Sequence, residues 1–310
     1  MVSEEELTML YLKHFGLQQS PFGLTPNTAF YVDLPQHHEA LQVLTTALQA
    51  GEGFIKVTGE VGTGKTMLCR KLLNEAQPDW VVAYIPDPFL SPSELRWAVA
   101  CELGLKHSDN IDHQQLGQLL QRHLMMLAGQ DKRAILVIDE AQALPDDTLE
   151  ALRLLTNLET EQRKLLQVVL FGQPELDERL ASHKFRQLRQ RVSFSYHLRG
   201  MSFEEVRAYV RARLEIAGVM QPLFADSALK ALWRYSRGVP RLVNVLCHKG
   251  LMLAFGEHKF QISGSHLRYA AKDTEDVQLS PGHKKRWLLP LLLAGAMVGA
   301  AAYVRWAGWL

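Results

Sequence analysis

"GEVGTGKT", residues Gly59–Thr66, is the stretch from which the rest of the 310-residue chain is read. Gly59 and Gly64 have four residues between them and are followed by Lys65 and Thr66, the G-x-x-x-x-G-K-[ST] spacing of a phosphate-binding loop. The pattern carries weight only if a strand precedes it and a helix follows. "FIKVT" (54–58) is a short apolar run, and "KTMLCRKLLNEA" (65–76) has helical periodicity. A loop between such elements can turn several backbone N–H groups inward, because glycine permits the angles and the close approach. The helix that follows points its positive end at the phosphates. Lys65 is then expected to reach the β- and γ-phosphates, and the Thr66 hydroxyl to ligate Mg²⁺. Gly59, Glu60, Val61, Gly62, Thr63, Gly64 and Met67 complete the expected nucleotide-binding stretch.

Working outward, "AILVI" (134–138) is an uninterrupted apolar, β-rich run, as a strand buried on both faces requires. It ends in Asp139 and Glu140, and ligands of parallel α/β sheets bind beyond such carboxyl ends. Asp139 is expected to hold Mg²⁺ directly or through water. Glu140 is placed to polarise the water that attacks the γ-phosphate. A Glu directly after the Asp favours hydrolysis over nucleotide-gated switching. Three more strands read out at "WVVAYI" (80–85), "LLQVVLFG" (165–172) and "RVSFSYHL" (191–198), the last as an edge strand. Helical patterns lie between them, at about 91–104, 113–128 and 147–159. The alternation implies a parallel sheet with right-handed crossovers. After Gly200 the strands stop, and helical patterns occupy about 202–217, 226–236, 239–256 and 264–271.

Composition limits the alternatives. Hydrophobic residues make up 47% and charged residues 22%, ordinary for a folded chain, and the net charge of +1 points to no nucleic acid. Cys69, Cys101 and Cys247 lie far apart without metal-site spacing and read as core thiols in a reducing compartment. "MVSEEELTML" has no basic region ahead of an apolar one, so no signal peptide is expected. From Trp287 to Val304 no charge appears, enough for about 27 Å of helix. "HKKR" (283–286) precedes this run, with Trp and Tyr at its ends, which predicts a single span with the basic side in the cytoplasm.

Other polar residues have two readings each. Gln173, at the tip of the strand ending "LFG", can sense a γ-phosphate, or belong to a turn set by Gly172 and Pro174. Arg186, Arg189 and Arg191 in "FRQLRQRV" (185–192) form a solvated face unless a neighbouring subunit meets them. Arg241 stands one residue past Pro240 in the first turn of a helix. A cation there opposes the helix dipole and needs an anion, either the nucleotide or a structural carboxylate.

Together "HFGLQQSPFGLTPN", "GEVGTGKT", "ILVIDEAQAL", "VVLFGQPEL", "LRQRV" and "GVPRLVN" resemble the AAA+ ATPases of the ExeA/GspA type, and among them the MSHA pilus biogenesis members. The resemblance implies a Walker A motif at Gly59–Thr66, a Walker B motif at Asp139 and Glu140, and a sensor 1 position at Gln173. It also implies an arginine finger at Arg189 or Arg191 and a sensor 2 arginine at Arg241. The expected organisation is an N-terminal segment and helix (1–50), an AAA+ P-loop core with a parallel five-stranded sheet (51–199) and a helical lid (200–271). A polar linker (272–286), a transmembrane helix (287–304) and a short tail (305–310) follow. The implied function is ATP hydrolysis, with Mg²⁺, by a homo-oligomer at the inner membrane, serving assembly of a type IV pilus or type II secretion-like machine. Peptidoglycan binding, found further along larger members, is not expected of this polypeptide. Two other functions compete: a DNA-transposition helper ATPase, disfavoured by the charge and the apolar end, and a nucleotide-gated scaffold, disfavoured by Glu140.

Overall fold

The computed structural model describes residues 4–23, 30, 32–106, 112–160, 163–275 and 277. The chain enters through α1 (Glu4–Phe15) and α2 (Pro35–Gln49). β1 (Phe54–Gly59), α3 (Lys65–Asn74), β2 (Trp80–Ile85), α4 (Pro92–Glu102) and α5 (His113–Gly129) follow. Next come β3 (Arg133–Ile138), α6 (Asp146–Leu155), β4 (Leu166–Gly172), α7 (Pro174–Ala181), α8 (Arg186–Arg189) and β5 (Phe194–Leu198). The last four helices are α9 (Phe203–Ile216), α10 (Asp226–Ser236), α11 (Pro240–Gly256) and α12 (Gly264–Lys272).

The five strands make one parallel sheet in the order β2-β3-β4-β1-β5. The most continuously apolar strands, β3 and β4, are interior, and β4 is buried along its whole length. Successive side chains alternate between faces. Leu136, Ile138, Val168 and Leu170 join one core with α4 to α8, and Ile135, Val137, Val169 and Phe171 join the other with α2 and α3. β5 alternates because it is an edge, with all but Leu198 at least partly exposed.

Three helices, α1, α7 and the short α8, were not legible in the sequence. The Gly172–Pro174 punctuation is a turn, and it also starts α7, with Pro174 in the first helical turn. The cysteine reading needs one correction. Cys69 and Cys247 are buried, but Cys101 is exposed. α4 buries Leu95, Val99 and Ala100 and turns the next position outward.

β5 leads into the lid through a capping box at Ser202 and Glu205 that starts α9. Arg199 pairs with Glu205, and this bond holds the Glu205 carboxyl down at about 2. The lid core is not made by α9–α12 alone. Tyr11, Phe15, Leu17 and Phe22 from the chain's start pack with Val210, Leu214, Leu246 and Leu251. The N-terminal segment is therefore a strap across the lid before α2 joins the sheet. Buried Arg213 fastens it, donating to Pro21 O at 2.6 Å and Phe30 O at 3.4 Å. The expected transmembrane run 287–304, the tail 305–310 and most of the linker lie outside the described residues. Among the described residues no helix is long and apolar enough to cross a membrane.

Candidate functional site

The glycine loop joins β1 to α3, as its spacing requires. Gly62 and Gly64 take φ of 81° and 97°, in the left-handed region where a Cβ is strained. Close contact adds a second reason for glycine. A Cβ on Gly62 would lie 2.5 Å from Arg241 Cβ, and one on Gly64 would lie 2.7 Å from the His37 ring. Lys65, the first residue of α3, is buried and its Nζ donates to Gly59 O at 2.7 Å and Glu60 O at 2.9 Å. Burial lowers its pKa, while Glu140 and Asp139 pull the other way.

Asp139 and Glu140 leave the end of β3 beside this loop. Asp139 is buried, which raises its carboxyl pKa, while a hydrogen bond from Thr66 and the Glu140 backbone N–H at 2.9 Å oppose the shift. Glu140 is in the left-handed region, at φ 50° and ψ 37°. Its Oε2 accepts from Gln142 Nε2 at 2.6 Å and from Gln173 Nε2 at 3.1 Å.

The lid closes over the loop from above. The Arg241 backbone N–H, in the first turn of α11, donates to Gly62 O at 3.3 Å. Between lid and core lies a cavity of about 500 Å³, within the size range of small-molecule sites. Val61, Gly62, Gly64, Lys65, Thr66 and Met67 line one part, with Glu140, Gln173 and Arg241 around them. Phe30, Val32, Leu34 and Tyr209 make an apolar wall. No carboxylate pairs with Arg241 among the described residues.

Arg189 and Arg191 are not brought into this cavity. Arg189 is exposed and donates to Ala181 O at 3.0 Å, and half-buried Arg191 donates to Thr156 Oγ1 at 3.1 Å. Sequence reasoning missed His37, Gln142, Tyr209, Arg213 and Asn244. His37, on α2, lines the cavity and donates from Nε2 to Thr63 O at 2.9 Å, which ties α2 to the loop. Nothing in its local sequence marks it, whereas Gln142 lies two residues past Glu140.

Thr66 and Asp139 offer hard oxygen donors beside Lys65, a set that fits Mg²⁺ carried by phosphates. No group of three or more His, Cys, Asp or Glu that could hold a metal alone occurs among the described residues.

The chain is similar to known proteins over most of its length. An AAA domain family matches residues 48–180. General secretion pathway protein A of Aeromonas hydrophila is 40% identical over 302 residues, covering 97% of this chain and 54% of that protein. The chain thus spans about half the length of the curated relative it matches. Among solved structures, Cdc6p from Pyrobaculum aerophilum superimposes with a TM-score of 0.60 at 18% identity, over 81% of this chain and 70% of that one. The Drosophila ORC bound to DNA gives 0.58 at 17% identity, over 87% and 67%. At such identities the likeness concerns the fold alone. Residues 48–180 carry an AAA domain, and the fold is the α/β fold of AAA+ P-loop proteins with its five-stranded parallel sheet.

Proposed function

We propose that this chain is an ATP hydrolase, held at the inner membrane by one span, that drives assembly or positioning of a secretion- or pilus-type envelope machine. One observation carries the enzymatic part. Lys65, Thr66, Glu140, Gln173 and Arg241, from four separate stretches of chain, border a single cavity, with Asp139 beside Thr66. The phosphates take Lys65 from the loop carbonyls it now contacts. The loop N–H groups and the start of α3 face the same charge. Thr66 and Asp139 would hold Mg²⁺, which would supply positive charge to the bound phosphates. Glu140 takes a proton from the attacking water, and Arg241 brings a cation from the lid. The apolar wall of Phe30, Val32 and Leu34 suits the flat face of a base. Glu140→Gln is expected to keep binding of an ATP analogue and to lose turnover by about 10²- to 10⁴-fold, as for loss of a general base. Turnover at the parental rate in that variant refutes the assignment.

The envelope setting has other support. The relative similar over nearly the whole chain is by name a general secretion pathway protein, which favours a type II secretion-like machine, with an MSHA-type pilus as the narrower reading. The uncharged run 287–304 supports a single-pass anchor, with the ATPase in the cytoplasm and with itself and envelope assembly proteins as partners. The net charge of +1 lends no support to nucleic acid as a partner. Recovery of the full chain in carbonate-washed inner membranes is the expected result, and a soluble pool bound to DNA opposes it.

A further inference from the structure

Beyond Glu140 the chain makes a 3₁₀ turn, Ala141–Ala143, that folds Gln142 back over its own start. Gln142 Nε2 donates to Glu140 Oε2 at 2.6 Å, and Gln142 Oε1 accepts from the Gln173 backbone N–H at 2.9 Å. The second bond fixes which way the amide points. A backbone N–H can only donate, so the oxygen faces Gln173 and the NH₂ faces Glu140. Gln173 Nε2 donates to the same Oε2 at 3.1 Å. Oε2 therefore carries two N–H donors, while Oε1 carries none among the described residues. The turn is braced from below. Arg179 on α7 donates from Nη1 to Gln142 O at 2.7 Å and from Nη2 to Asp146 Oδ1 at 2.5 Å.

We propose that Gln142 is a positioning residue for hydrolysis. Among the described residues it is the one side chain hydrogen-bonded to both the Glu140 carboxylate and the backbone of Gln173, so it sets the two in a common register. With Oε2 held by two amides, the lone pairs of Oε1 are left to receive a proton. In the step it serves, the attacking water gives its proton to Glu140 Oε1, and its oxygen bonds to the γ-phosphorus. The bond from that phosphorus to the bridging oxygen breaks, leaving ADP and phosphate. This role rests on the reading of Glu140 as the base, and the geometry supplies the reason for an amide. A carboxylate in place of Gln142 would face Glu140 with a like charge, and an apolar side chain would leave Oε2 without its shorter bond.

Two variants of the full chain in detergent test it. Gln142→Met keeps the volume and removes both hydrogen bonds. It is expected to lower kcat by about 10²-fold, the scale of a misplacement near 1 Å, with KM for ATP and the melting temperature near parental. Gln142→Glu keeps the acceptor for Gln173 but sets a second carboxylate against Glu140. Two such groups cannot ionise independently, and one titrates at higher pH. The acid limb of the kcat–pH profile should then move upward, so that the kcat deficit is deeper at pH 6 than at pH 9. A merely structural residue would not move that limb. Parental kcat in both variants, or losses that track the melting temperature with an unmoved limb, overturn the proposal while parental turnover still stands. Absence of turnover in the parent overturns the hydrolase reading, and this role with it.

Discussion

At the residue scale, His37 shows how a side chain without a motif supports one. It is 4% exposed, and its Nε2 faces a carbonyl, which can only accept. Nε2 therefore carries the proton of the neutral ring. Burial lowers the His37 pKa most, with the Thr63 backbone bond and Asp33 raising it and Lys71 lowering it. The sign of the linkage follows. Above about pH 6.5 both folded and unfolded states hold the ring neutral. As pH falls through that value, the unfolded chain takes a proton that the folded chain resists, and stability declines until the folded pKa is reached. Between pH 7.5 and 5.5 the melting temperature of the parent should fall more steeply than that of His37→Gln, whose amide can still donate to Thr63 O and does not titrate. Equal slopes in a thermal-melt series would exclude His37 as a contributor. Lys65, Thr66, Asp139 and Glu140 were legible in the sequence because each belongs to a short motif with fixed spacing. His37 was not, because what it touches lies 26 residues away.

At the scale of elements, the contact of α11 with the glycine loop is the joint on which the site depends. Gly62 has a positive φ and almost touches Arg241, whereas Gly104 has a positive φ of 76° with nothing within 4 Å of an added Cβ. The pair separates backbone strain from contact. Gly104→Ala should cost only the left-handed penalty, about 1–2 kcal/mol. Gly62→Ala carries the same penalty and must also push α11 off the loop. It should therefore destabilise more in a denaturant titration, and it should weaken binding of an ATP analogue, which Gly104→Ala should leave alone. Equal effects of the two substitutions on nucleotide affinity would mean that the lid does not rest on Gly62 when nucleotide binds. The strands were readable because β3 and β4 are continuous apolar runs. α7 was hidden because "GQPEL" reads as a turn until the chain past Pro174 is seen to pack Leu176 and Leu180 into the core.

For the whole molecule, the residues to test are the two arginines that lie outside the cavity. Lys65 and Arg241 border the cavity, but Arg189 and Arg191 lie outside it, hydrogen-bonded to Ala181 and Thr156. In the resembled family, this part of the chain points at a neighbour. An arginine supplied in trans is worth about 10³- to 10⁵-fold in rate. Turnover per subunit should then rise with protein concentration. Arg189→Ala or Arg191→Ala should keep ATP binding and lose hydrolysis. Mixing such a variant with Lys65→Ala should restore activity, since each chain supplies what the other lacks. Specific activity that stays flat across a wide dilution series would mean that each chain's site is complete.

The sequence by itself determined the glycine loop between β1 and α3, the acidic pair after β3, the parallel α/β core and the change to helices after Gly200. These rest on spacing within a few residues and on periodicity, both properties of local backbone. Tertiary structure alone decided that the N-terminal strap belongs to the lid's core, with Arg213 reaching Phe30 across 183 positions of chain. It also decided that Arg241 meets Gly62 and that Gln142 joins Glu140 to Gln173. The physical reason is that a cavity between two layers is lined by whichever residues folding brings to the joint, and no local pattern records which distant segment will arrive there.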